Sequence, residues 1–129
     1  MSKKIISTKD APPAAGPYSH AVCVGRFMFS SGQIPVDPKT GRAVEGDIAV
    51  QTRRVLENLG ALLAEADLTL ADVVKTTLFL TDLTQFSVVN QVYGEYFPNH
   101  PPTRSTVEVT RLPMDAAIEI ELIAIASRG

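Results

Sequence analysis

The chain has 129 residues, 45% hydrophobic and 20% charged, enough for one domain with a real core and too few for two. Its net charge of −2 removes any global electrostatic case for nucleic acid. One cysteine, Cys23, excludes an internal disulfide and a thiolate zinc cluster, and the two histidines, His20 and His100, match no metal-ligand spacing. The start, Met1 to Ile6, lacks the apolar run of a signal peptide, and no run approaches membrane-spanning length. The expectation is a cytoplasmic protein without a metal.

In chain order, residues 3–8 suit a short first strand, and the three prolines of Ala11–Pro17 mark a turn-rich entry. Tyr18–Val24 and Phe27–Ser31 read as a hairpin, with Gly25-Arg26 as its two-residue turn. Cys23, inside the first arm, reads as a small buried residue, because no base lies near it in sequence. Ser31-Gly32-Gln33 ends the hairpin, and a glycine there serves either a bulge or a close backbone approach to a ligand.

Asp47 is the natural N-cap of a helix reaching about Ala66. Ile48, Val55, Leu56, Leu59, Leu62, Leu63 and Ala66 form its apolar stripe, while Arg53, Arg54, Glu57 and Glu65 read as a solvated face. Val73–Leu80 is a strand apolar on both faces but for Lys75. A second helix spans about Thr84 to Phe97, with Phe86, Val89, Tyr93, Tyr96 and Phe97 inward. Asn90 falls on that same side. A polar amide on a packing face costs about 1–3 kcal/mol unless partnered, so it either ties down backbone or faces a polar site.

Pro98 stops the helix, and Pro101-Pro102 stiffens the loop into a strand over 104–110. Arg104, Thr106 and Glu108 share one side of that strand. An arginine on such a rigid mount presents a planar fork suited to a carboxylate or phosphate, or else makes an ordinary surface ion pair. After a turn through Leu112–Asp115, a last strand covers about Ala117 to Ala126. Ile118, Ile120, Leu122 and Ala124 face one way, and Glu119, Glu121, Ile123 and Ile125 the other.

The order hairpin, helix, strand, helix, strand, strand makes each helix a crossover, and two crossovers of one hand place both helices on one face of the sheet. The last strand is apolar on both sides, so the second face needs a cover that no third helix provides. Another copy of the chain is expected to supply it. The short turn between the strands of Arg104 and Glu119 makes those two strands expected antiparallel neighbours.

Several stretches in this order and spacing resemble the RidA family, also called YjgF, along essentially the whole chain. They are Gly16-Pro17-Tyr18-Ser19, Ser31-Gly32-Gln33-Ile34, Val74-Lys75-Thr76-Thr77, Val89-Asn90, Pro102 through Ser105, Leu112-Pro113 and Ile118-Glu119-Ile120-Glu121. The resemblance implies a single RidA-like domain over 1–129. Its fold would be α+β, chorismate-mutase-like, with a mixed six-stranded sheet, two helices on one face, and a homotrimer with inter-subunit clefts. It also implies hydrolytic deamination of reactive enamines and imines (2-aminoacrylate, 2-iminobutyrate, 2-iminopropionate) to 2-oxo acids and ammonia, with no cofactor or metal. Carried over by position, Arg104 would bind the substrate carboxylate and Glu119 would place the attacking water and handle protons. Tyr18, Ser31, Gly32, Asn90 and Phe86 would line the cleft, together with Thr106, which stands where many bacterial members have cysteine. His20 stands where glutamine is common and is expected to be structural or at the cleft edge.

Two other classes of function compete. A non-catalytic module sensing 2-oxo acids would use the same Arg104. A chaperone or translation-inhibiting ribonuclease is a further family activity. The acidic balance and the lack of a basic stripe or an acid–base pair of histidines count against RNA cleavage.

Overall fold

The computed structural model describes residues 2–127. Six strands form one mixed sheet: β1 (Lys4–Ile6), β2 (Ala21–Val24), β3 (Phe27–Ser30), β4 (Val73–Leu80), β5 (Thr103–Glu108) and β6 (Ile118–Ile125), in the order β1-β2-β3-β6-β4-β5. Two helices, α1 (Ile48–Glu65) and α2 (Phe86–Tyr96), pack on one face.

Local chemistry accounts for most boundaries. Gly25 takes a positive φ of 59° in the hairpin turn, the conformation that costs glycine least. Asp47 caps α1 by accepting from the Val50 amide at 3.1 Å, satisfying one of the helix's free N–H groups. Ahead of α2, Leu83–Gln85 forms a tight 3₁₀ turn in which Asp82 accepts from the Thr84 amide at 2.9 Å. The first arm of the hairpin starts three residues later than the pattern predicts, at Ala21. The carbonyls of Ser19 and His20 serve Ser31 instead of a strand ladder.

The core lies between the helices and the helix-facing side of the sheet. Val55, Leu56, Leu59, Leu62 and Leu63 of α1 and Val89 of α2 are completely buried against Leu78, Leu80, Ile118 and Ile120. Each such side chain contributes about 1.5–3 kcal/mol through burial. The stripe also holds two buried polar residues. Thr52 donates to the Ile48 carbonyl at 2.7 Å, and Asn58 donates to the Val36 carbonyl at 2.9 Å. The charged side of α1 is more than solvated, since Arg53 grips Glu95 of α2 with two bonds of 2.8 and 2.9 Å and the Tyr96 hydroxyl donates to Glu57 at 3.2 Å.

One expectation fails. β5 and β6 are not neighbours: β4 stands between them, antiparallel to β6 and parallel to β5. β6 is the strand with apolar residues on both faces, and a central position buries it best. β5, with most of its residues at least partly exposed, takes the edge. Residues 109–117 are long enough to step across one strand, and Met114 and Asp115, both at positive φ, reverse the chain there.

Among the described residues no helix covers the second face of the sheet. Register places Val24, Phe27, Phe29, Phe79, Val107 and Ile125 on it. Phe27, Phe29 and Val107 are each more than 40% exposed. Phe27 and Phe29 join Val24, Ile123 and Ile125 in an apolar patch of the kind that marks an association site, and the row of Ser105, Thr77 and Glu121 separates it from Phe79 and Val107.

Candidate functional site

Arg104 stands on the helix side of β5, opposite Thr76 of β4. Its guanidinium lies 5.3 Å from the centre of the Phe86 ring and 4.8 Å from that of Tyr93, and its Nη2 donates to Asn90 Oδ1 at 2.8 Å. Tyr93 is fixed in turn, its hydroxyl sharing a buried hydrogen bond of 2.7 Å with Thr76 Oγ1. Burial pushes the Tyr93 phenol up from its ordinary value, so it stays neutral beside the arginine. Two ring faces and one amide oxygen therefore orient the cation without neutralising it. Among the described residues no carboxylate comes within ion-pair distance of Arg104. Thr106, half-buried, follows two residues on along the same side.

Helical periodicity places Phe86 with the core residues of α2, yet it is 40% exposed and flanks Arg104. The partner of Asn90 is Arg104, whose guanidinium its Oδ1 accepts from, rather than neighbouring backbone. Sequence reasoning treats Tyr93 as packing and passes over Thr76. The available signal is the spacing Phe86, Asn90, Tyr93, one helical face ending above the strand of Thr76.

Glu119 belongs to the other face of the sheet. On β6 it sits opposite Phe79, with Ile118 and Ile120 turned into the core on either side. On its far flank the β3–β6 ladder breaks. Phe29 pairs with Ile123 and Gln33 with Ile120, so one extra residue loops out between Ser30 and Gln33. Ser30 Oγ fills the gap by accepting from the Leu122 amide at 2.9 Å. The loop is tied from behind, where Ser31 Oγ donates to the Ser19 carbonyl at 2.6 Å and Ser31 N to the His20 carbonyl at 2.9 Å.

Gly32 then lies directly against the Glu119 carboxyl. A Cβ at position 32 would overlap Oε2 and stand 2.7 Å from Cδ. The bulge thus brings the backbone at Gly32 close against the Glu119 carboxyl. Burial first, and the charge of Glu121 second, raise the Glu119 carboxyl above its usual range. Among the described residues no donor reaches it. Beyond Gly32 a pocket of about 260 Å³ is lined by Tyr18, His20, Gln33 and Ile34, among others. Tyr18 is half exposed and its hydroxyl accepts from the Ala15 amide at 3.2 Å. His20 is buried with Nδ1 unpartnered.

The sequence-predicted residues thus separate into two groups within the protomer. Arg104, Asn90, Phe86 and Thr106 stand together on the helix side. Glu119, Gly32, Ser31 and Tyr18 gather around the bulge, with the Glu119 carboxyl on the opposite face. Among the described residues no group of three or more His, Cys, Asp or Glu side chains is placed to hold a metal ion, and no helix is long and apolar enough to cross a membrane.

A mixed sheet with two covering helices on one face defines an α+β protein, whose distinctive polar feature is an arginine held in an aromatic cage. Comparison with known proteins narrows the class. A family profile described as Endoribonuclease L-PSP matches residues 8–126. A RutC family protein of Pyrococcus abyssi is 54% identical over 124 residues, covering 96% of this chain and 98% of that one. Escherichia coli TdcF, provisionally named a reactive intermediate deaminase, is 48% identical over 128 residues, covering 97% and 98%. The crystal structure of E. coli TdcF with bound serine superposes with a TM-score of 0.92 at 47% identity over 96% of this chain and 99% of that one. That of the E. coli YjgF gene product superposes at 0.91 with 48% identity over the same shares. The chain belongs to the RidA/YjgF family.

Proposed function

We propose that this protein hydrolyses reactive 2-imino acids and their enamine tautomers to 2-oxo acids and ammonia. The reaction would occur in clefts where the Arg104 group of one protomer meets the Glu119 group of the next in a homotrimer. The observation that carries the reading is the Arg104 fork, held by Asn90, Phe86 and Tyr93 and paired with no carboxylate among the described residues. Such a fork takes a small carboxylate by two charge-assisted bonds and so places the adjacent C2 atom.

The chemistry needs little more. A protonated imine carbon is already electrophilic. Glu119, with its proton held more tightly than usual, can give that proton to the imine nitrogen, or to C3 of an enamine. As carboxylate it can then take a proton from the water adding to C2. Collapse of the tetrahedral adduct breaks the C2–N bond and releases ammonia, leaving the 2-oxo acid. The membership of the TdcF relative in this family, and the serine bound in its structure, support a small amino-acid-like ligand.

The direct test is a coupled assay in which a serine or threonine dehydratase supplies 2-aminoacrylate and formation of the 2-oxo acid is followed. Acceleration by wild type is expected, with Arg104→Ala and Glu119→Gln each reducing it by on the order of 100-fold or more. The two inactive variants are then co-refolded in equal amounts. In a closed ring of three, about a quarter of the clefts receive an intact arginine from one chain and an intact glutamate from its neighbour, and activity returns to about that level. No recovery on mixing would confine the site to one protomer and overturn the shared cleft. Saturable binding of 2-oxobutyrate without turnover would favour the sensing module, which the same fork serves.

A further inference from the structure

The uncovered face carries three charged side chains among its strands. Thr103, Lys75, Ile123 and Phe29 make one row across β5, β4, β6 and β3. Ser105, Thr77 and Glu121 make the next, and Val107, Phe79 and Glu119 the one after. Lys75 is thus the diagonal neighbour of Glu121, and Glu121 lies two residues from Glu119 on the same face, a spacing of about 6.6 Å along the strand. Lys75 and Glu121 also line one small hollow of about 150 Å³, with Phe29, Thr77 and Ile123.

We infer that Lys75 and Glu121 are positioning residues that set the charge state of Glu119, Glu121 keeping its proton on and Lys75 drawing it off. The inference rests on the proposed role of Glu119 as proton carrier. Among the described residues nothing else charged faces that carboxyl from its own protomer. β3 offers Phe27 and Phe29, β4 Thr77 and Phe79, β5 Thr103, Ser105 and Val107, and the bulge only Ser31, Gly32 and Gln33. The pocket beyond Gly32 holds Tyr18 and His20. From outside, the proposed assembly brings the Arg104 of a neighbouring copy, which acts in the same direction as Lys75.

Two like charges at this spacing oppose each other's ionisation, and the charge of Glu121 is already felt at Glu119 in the lone protomer. Covering the face with a second copy removes solvent from between them and strengthens every term. Lys75 then decides how much of the Glu121 charge Glu119 experiences. A carboxyl that must both give and take a proton near neutral pH works best with its titration held close to that pH, and a tunable pair of neighbours does this without touching the substrate.

The test uses isosteric or near-isosteric neutral variants of the full assembled protein. Glu119 is followed by ¹³C NMR of its side-chain carboxyl, assigned by its loss in Glu119→Gln, and in parallel by the pH profile of kcat/KM. Glu121→Gln should move the Glu119 titration to lower pH by about one unit, a tenfold change in its acid-to-base ratio at fixed pH. Lys75→Met should move it to higher pH by a smaller amount, because Lys75 stands two rows from Glu119, about 13 Å along the strand, and acts through Glu121. Opposite shifts are the signature, because loss of a merely structural contact gives no reason for the sign to follow the charge removed. A titration that stays put in both variants, or moves the same way in both, overturns the inference. The outcomes also separate the two readings. Opposite NMR shifts without wild-type turnover would sink the deaminase and leave the couple standing, whereas turnover with an unmoved Glu119 would do the reverse.

Discussion

The two faces of the sheet hold opposite charges in opposite states of completion. Around Arg104 the neighbours are tied together: Asn90 accepts from it, and Tyr93 is locked to Thr76 beneath it. Only the cation itself lacks a counter-charge among the described residues. Around Glu119 the backbone is tied with equal care, through Ser31, Ser30 and the Gln33–Ile120 bridge. Its half-buried carboxyl, however, meets no donor among the described residues, and burial and the charge of Glu121 hold its proton more tightly than usual. One group is an anchor without an anion, the other an acid without a base, and the sheet separates them. A protomer carrying such complementary groups on different surfaces suits a head-to-tail contact that closes into a ring. The apolar face beside Glu119 would supply the surface for it.

The strongest way to break this comparison is to prevent the faces from meeting. Phe27 is 44% exposed and stacks on Phe29 with ring centres 6.2 Å apart, far along the face from Glu119. Phe27→Asp should leave the protomer folded by circular dichroism, because the core does not use this ring. It should also weaken assembly by about 3 kcal/mol or more, since an unpaired charge would be buried at the contact. Sedimentation should then report monomers, and the coupled assay should show activity lost with the assembly. A monomer that keeps full activity would place the whole site in one chain.

Next in size is Gly32→Ala, which sharpens the Glu119 half alone. The new methyl meets the far end of a flexible side chain, so Glu119 can rotate aside at little cost to the fold. The carboxyl then leaves its place against the bulge. A thermal midpoint within a few degrees of wild type is expected, with kcat/KM down about tenfold or more. Unchanged activity would show that the position of Glu119 against Gly32 has no bearing on turnover.

Much of this was legible in the residues. Apolar spacing located both helices, Asp47 marked the start of α1, and alternation along 118–125 told core side chains from outward ones. The unopposed second face was also readable, because β6 alternates hydrophobic residues with Glu119, Glu121, Ile123 and Ile125 instead of with a uniformly polar set. Strand order was not legible. A short connection favours adjacent strands, but burying β6 on both edges outweighs it, and β4 ends between Arg104 and Glu119. Phe86 shows the limit of periodicity, which places a ring on a helical face without saying whether that face meets the core or a cation. The pairing of Thr76 with Tyr93 depends on which strand lies under α2, and local pattern carries no such information.

The smallest effect expected is also the one that speaks most directly to the two half-built groups. In a lone protomer the Glu119 carboxyl holds its proton more tightly folded than unfolded. Its contribution to stability is therefore complete below the unfolded value near about 4.3 and is lost as pH rises through the higher folded value. In a monomeric Phe27→Asp background, Glu119→Gln should remove that loss, so the gap in urea midpoint between the two proteins should grow in favour of the glutamine form from pH 4 to pH 8. In the assembled protein that pH dependence should shrink. A neighbouring Arg104 favours the ionised carboxylate, so wild type should lose less ground to Glu119→Gln across the same range. Equal slopes in the monomer and the assembly would mean that the arginine of one copy never reaches the glutamate of the next, and the two faces would then be unrelated features of one surface.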